Sequence, residues 1–199
     1  YLDIEDVIDK VVSPLTSQSP VLILVLDGMS QAVYQELIED VLARHWTLLQ
    51  NESLVLPKPV LASLPSVTAI SRKALLAGKL NASGTEENLF KEHQPTGTQS
   101  STRTAQLFRM GALSDADASG LSEEVKSALS NTKKLPLIGI VLNAIDDHLD
   151  SGRQVHLNWT RDAIIGLPEI MRLAADAGRA IVLTSDHGHV LDQGSKQLA

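Results

Sequence analysis

Val21-Leu22-Ile23-Leu24-Val25-Leu26-Asp27-Gly28-Met29-Ser30 is the stretch that decides the fold. Its apolar run has no polar interruption and stops abruptly at an acid and a glycine. A strand with one wet face alternates apolar and polar residues, whereas a strand covered on both faces reads as a continuous apolar run. Leu137-Ile138-Gly139-Ile140-Val141-Leu142 and Ala180-Ile181-Val182-Leu183-Thr184 read the same way. Helical spacing fills the intervals. Residues 31–48 set Tyr34, Leu37, Ile38, Val41 and Leu42 on one face, and residues 68–80 are rich in Ala and Leu and close near Gly78. Residues 160–177 repeat the pattern through Ile164, Ile165, Leu167, Ile170, Leu173 and Ala174, with Gly178 as a stop and Pro168 forcing a kink or break. Residues 122–130 form a shorter candidate helix. Strand alternating with helix predicts an α/β fold, a three-layer α/β/α sandwich on a mostly parallel sheet. Residues 81–117, rich in Gly, Ser, Thr and Asn, break the alternation and read as a loop-rich insertion or lid.

Composition narrows the function. At 199 residues the chain is the size of one domain, and 43% hydrophobic content supports a core. Seventeen Lys and Arg against 24 Asp and Glu give a net charge of −7, which argues against a nonspecific grip on nucleic acid. Having no cysteine removes disulfides, thiolate metal sites and a cysteine nucleophile. The longest apolar run falls far short of the roughly 20 residues that cross a bilayer. The acidic opening Tyr1-Leu2-Asp3-Ile4-Glu5-Asp6 is unlike a signal peptide, so the expected location is the cytoplasm. A start at Tyr1 and a stop at Ala199 just after a strand suggest a piece of a longer protein.

In open parallel sheets, ligands sit beyond the carboxyl ends of the strands. The three apolar runs deliver Asp27-Gly28, then Asn143-Ala144-Ile145-Asp146-Asp147-His148-Leu149-Asp150, then Ser185-Asp186-His187-Gly188-His189. Carboxylates gathered on one edge repel unless they share a proton or a cation. Carboxylate with imidazole suits zinc or manganese. The plainer alternative is that each Asp caps the helix behind it, but capping does not call for Asp–His pairs. Leu64-Pro65-Ser66-Val67-Thr68 precedes a helix, so Ser66 or Thr68 is either an N-cap or a nucleophile at a helix N-terminus, where anions are favoured. Arg72, one helical turn beyond Thr68, either faces phosphate or forms a surface ion pair. His45 reads as a surface residue, His93 as a loop histidine, and His156 as an anchor near Trp159; Lys58 and Lys79 carry no specific signal.

Leu26-Asp27-Gly28, Pro65-Ser66-Val67-Thr68 followed by Leu75-Leu76-Ala77-Gly78, Asp146, and Ser185-Asp186-His187-Gly188 stand in the order found in the alkaline phosphatase superfamily. Within it the chain resembles the PglZ domain of BREX-type phage-defence systems, chiefly through residues 141–149, over about Val21 to Val190. The resemblance implies an alkaline phosphatase-like sandwich with two divalent metal ions, zinc first and manganese second. It implies that Asp27, Asp186 and His187 hold one metal, contacted by Thr68 as the nucleophile. Asp146 matches the first ligand of the second metal, and Asp150 stands where the family usually has a histidine. A further downstream histidine of the family has no counterpart before Ala199 unless His189 serves, so the second site is expected to be incomplete.

Two function classes follow. One is a phosphohydrolase or phosphodiesterase whose threonine attacks phosphorus, giving a phosphothreonine that water cleaves. With aromatics at 3% there is no base-stacking platform in view, so a small nucleotide or other phosphate ester fits better than a long duplex. The alternative is a scaffold or binding subunit that keeps the fold and works with other defence-system subunits. A phosphotransferase or mutase on the same fold is a third reading.

Overall fold

All three apolar runs form strands, and they lie side by side. The computed structural model describes residues 1–49, 59–93, 104–110, 121–143, 145 and 158–189. A short parallel pair comes first, β1 (Leu2–Asp3) on β3 (Val60–Leu61). The main sheet contains β2 (Val21–Leu26), β4 (Ala105–Met110), β5 (Leu137–Leu142) and β6 (Ala180–Thr184). Its order is β4-β5-β2-β6, parallel throughout. Register carries the functional consequence. Leu26 pairs with Leu142 and Val25 with Thr184, so Asp27, Asn143 and Asp186 leave the sheet at one level.

Every residue of β2 and β5 is buried because the sheet is covered on both faces. Leu22, Leu24, Leu26, Ile138, Ile140 and Leu142 point to one side. There they meet the buried faces of α2 (Gln31–Ala43), α5 (Glu123–Ser130) and α6 (Leu167–Asp176). Val21, Ile23, Val25, Leu137 and Val141 point to the other. They meet an N-terminal helical stretch, α3 (Thr68–Ala77) and α4 (Glu86–Lys91). The N-terminal stretch passes through a 3-10 turn (Ile4–Asp6), a π-helical segment (Ile8–Val12) and α1 (Ser13–Thr16). The result is the three-layer α/β/α sandwich that the sequence predicts.

Several expectations change in detail. Within residues 81–117, the expected loop-rich insertion, α4 and β4 are both core elements. Leu107 and Phe108 point to opposite clusters, and the sheet-edge strand needs only this short apolar centre. The helix from Gln31 ends at Ala43, where Arg44 leaves helical geometry and His45 adopts φ 70°. Leu42 is exposed rather than on the packed face. At Pro168 the expected break is real: Gly166 takes φ 82°, and α6 begins at Leu167 with the proline in its first turn, where no donor is needed.

Gly139 lies where β5 passes beneath the Phe90 ring. A Cβ there would approach Leu107 Cδ1 to 2.6 Å and Phe90 to 3.0 Å. Gly139→Ala should therefore destabilise the fold by about 1–3 kcal/mol in a urea titration. An unchanged midpoint would show that the two side chains yield freely.

Arg179, just before β6, is buried and donates to five backbone carbonyls: those of Leu129 (2.8 Å), Leu135 (2.8 Å), Ala128 (3.2 Å), Pro136 (3.4 Å) and Val21 (3.5 Å). Two belong to the last turn of α5, where Ala128 O is shared with Asn131 N–H and Leu129 O has no further helix to satisfy it. Burial lowers its pKa to about 10, which leaves the guanidinium charged at neutral pH. Asn131 N–H also reaches Ala128 O and Val21 N–H reaches Pro136 O, so Arg179→Met chiefly strands the Leu129 and Leu135 carbonyls and should cost about 3 kcal/mol by chemical denaturation. A loss within 0.5 kcal/mol, the range of ordinary surface changes, would contradict that role.

Candidate metal centre

The common level of the strand ends brings four functional side chains together. Asp27 continues the β2 ladder by one residue, its N–H donating to Leu142 O at 2.9 Å, and Gly28 then turns the chain at φ 77°. Ser185 staples that turn to the end of β6. Its Oγ accepts from Met29 N–H (3.1 Å) and shares its proton between Leu26 O (2.7 Å) and His187 O (2.5 Å). Asp186 is fully buried, and Ser71 on α3 donates to its carbonyl at 2.5 Å. Helix, strand and site are thereby locked together.

Thr68 is the first residue of α3. Val67 holds the N-cap position in extended conformation with no side-chain cap bond. The capping alternative is therefore overturned: the Thr68 hydroxyl is not spent on the helix, and Oγ1 lies 2.7 Å from His187 Nε2. Ser66 is exposed. His187 Nδ1 faces Gly188 O at 3.3 Å, and a carbonyl only accepts, so the neutral ring carries its proton on Nδ1. Its Nε2 lone pair then looks at Thr68 and at Asp27 Oδ1, 3.3 Å away.

Asp186 Oδ1 accepts His187 N–H at 2.9 Å. Asp186 Oδ2 and Asp27 Oδ1 are buried and accept no hydrogen bond among the described residues. One ligand atom from each of Asp27, Asp186 and His187 falls within 4.8 Å of the others. Two orphaned carboxylate oxygens beside an imidazole lone pair make a donor set that fits a divalent cation. Electrostatics agree: burial, and then the Asp27 charge, push the Asp186 carboxyl up to about 7. The pair is short of compensating positive charge on the side of its two orphaned oxygens.

Arg72 supplies part of it. The guanidinium is buried, with Nη1 2.5 Å from Asp27 Oδ2 and 3.9 Å from Asp186 Oδ2. Its Nε lies 3.1 Å and 3.3 Å from the two Glu86 oxygens. Glu86, itself buried, is held from the far side by Arg109 at 2.8 Å. Burial works to lower the Arg72 pKa, but Glu86, Asp27 and Asp186 outweigh it and raise it. Neither sequence reading of Arg72 describes this, since it is neither a surface pair nor open to phosphate. Glu86 carries no sequence signal beyond an acidic first turn of α4; Ser71 and Ser185 are likewise invisible before the fold is known.

The remaining candidates separate cleanly. Asp146 and Asp150, the residues expected at a second metal site, lie outside the described residues, as do His148, His156 and Lys58. His189 Nδ1 donates to Gly28 O at 2.6 Å and braces the Asp27 turn. His93 is structural, with Nε2 2.8 Å from Leu76 O and its ring edge-on to Phe90. His45 is exposed, as expected.

A three-layer sheet with an Asp, an Asp–His pair and a helix-borne hydroxyl at its strand ends defines an alkaline phosphatase-like domain. Residues 7–198 match the family described as the BREX system PglZ alkaline phosphatase-like domain, and the chain belongs to that family. No curated protein matches the chain. The family sets the domain in a phage-defence system. Among the described residues, no helix is long and apolar enough to cross a membrane.

Proposed function

We propose that the domain hydrolyses phosphate esters in a reaction dependent on divalent metal, with Thr68 as the nucleophile, as part of phage defence in the cytoplasm. One observation carries this reading: Thr68 Oγ1 sits 2.7 Å from the His187 nitrogen that also lies 3.3 Å from the buried, unpartnered Asp27 Oδ1, in one cluster with Asp186. Asp27, Asp186 and His187 would hold the ion, zinc by preference and manganese as the alternative for this donor set. A divalent ion held there would supply Lewis acidity, which would lower the pKa of the Thr68 hydroxyl and offset phosphoryl charge. Thr68 Oγ1 forms its bond to phosphorus as the ester P–O bond breaks. The hydroxyl proton passes to solvent, and the leaving oxygen takes one back. Water then cleaves the phosphothreonine, restoring the hydroxyl and releasing phosphate or a monoester. The N-terminus of α3 directs its free backbone N–H groups toward the developing negative charge. Asp146 and Asp150 are proposed for a second, incomplete metal site, and a small nucleotide or similar ester for the substrate.

The scaffold reading keeps one observation in its favour. Arg72 already gives Asp27 a cationic partner without any metal. The two readings part on metal content and turnover. Elemental mass spectrometry on the wild type and Asp186→Ala, with a chromogenic phosphodiester, should find bound zinc or manganese and turnover, both lost in the variant. Protein free of metal and inert after incubation with either ion would leave the scaffold.

A further inference from the structure

Arg72 and a divalent cation seek the same two carboxylates. Asp27 Oδ2 is taken by Arg72 Nη1 while its Oδ1 is orphaned, and Asp186 Oδ2 is both orphaned and only 3.9 Å from that same Nη1. A cation joining the orphaned oxygens would stand beside a buried guanidinium that cannot lose its charge. Like charges this close repel strongly where water is excluded. Glu86 alters the balance, because it grips Arg72 Nε from the opposite side and draws the guanidinium's charge away from the acidic pair. Arg109 in turn holds Glu86. With Asp27, Asp186, Glu86 and Glu87 facing Arg72 and Arg109, the cluster carries four negative and two positive charges, so a divalent ion brings the whole to neutrality while still standing beside the Arg72 guanidinium.

From this arrangement we infer that Arg72 is a built-in competitor of the metal, a positioning residue that fixes Asp27 through Oδ2 and holds metal affinity down, with Glu86 setting how strongly it competes. The inference rests on the metal-dependent reading of the site. It makes Arg72 and Glu86 act with opposite sign. Removing the Arg72 charge takes away the repulsion and tightens metal binding. Removing the Glu86 charge leaves Arg72 to the acidic pair alone and weakens it. A purely structural role for the network predicts weaker binding in both.

The test is calorimetric titration of chelator-treated protein with manganese chloride and with zinc chloride, without substrate. Arg72→Gln, which keeps a polar head near Asp27, should tighten binding about tenfold or more, and Glu86→Gln should weaken it by a similar factor. Arg72→Met serves as a second neutral variant, and the melting temperature it gains on adding metal should exceed the wild-type gain. Looser or unchanged binding in both Arg72 variants overturns the inference while wild-type binding leaves the metal reading standing. No binding in the wild type or any variant overturns both.

Discussion

Thr68→Val is expected to reduce phosphodiester hydrolysis to background, a loss on the order of 10³-fold or more. Valine keeps the branched shape at the first position of α3 and removes only the hydroxyl. That hydroxyl does not cap α3, and among the described residues its hydrogen-bond partner is His187 Nε2 at 2.7 Å. The stability cost should therefore stay near that of one hydrogen bond, about 1 kcal/mol. Asp27, Asp186 and His187 remain in place, so metal content should persist. Thr68→Ser restores a nucleophile and should recover most of the rate. The pattern to look for is activity lost while fold and metal survive, measured on one preparation by turnover, melting temperature and elemental analysis. Wild-type turnover in Thr68→Val would remove the threonine from the chemistry. Loss of metal in the same variant would make Thr68 a ligand first.

The fold was legible where burial is complete. Residues 21–26 and 137–142 announce strands because both faces are covered and no polar residue is tolerated on either. The strand at Ala105–Met110 is hidden because an edge position admits Gln106 and Arg109, which dilute the apolar signal. Near the N-terminus, Ile4, Val7, Ile8, Val11 and Val12 do carry helical spacing and are all buried. A reading led by strands passes over them. Site residues divide along the same line. Asp27, Asp186 and His187 lie directly after strands, so parallel register alone brings them together. Thr68 comes from a helix start, where spacing left capping and catalysis equally open, and only the Val67 cap geometry separates them. Arg72 and Glu86 are joined across the loop between α3 and α4, and no local pattern records such a pairing. What sequence yields here is the Asp27, Asp186 and His187 cluster; what it withholds is the counter-charge of Arg72 and Glu86 beside it.

Asp186→Asn should make the metal-free protein more stable while removing its response to metal. In the native state the Asp186 carboxyl is fully buried, and burial followed by the Asp27 charge raises its pKa to about 7, against 3.8 for the free side chain. A native pKa above the unfolded value means that the folded state holds the proton more tightly. Stability of the metal-free wild type therefore falls as pH rises from about 4 to about 7, and above that range the full cost is present. That cost is on the order of 2–4 kcal/mol. Asparagine is neutral at every pH, keeps an oxygen for His187 N–H, and brings an amide donor beside Asp27. Its chelator-treated form should be more stable than wild type at pH 8, with the difference vanishing near pH 4. Added zinc should raise the wild-type melting temperature and leave that of the variant unchanged, since an amide oxygen is a far poorer ligand than a carboxylate. If the variant is instead less stable at pH 8 without metal, the Asp186 charge is already compensated inside the fold. Arg72 would then be satisfying the acidic pair by itself, and the orphaned oxygens would no longer argue for a cation.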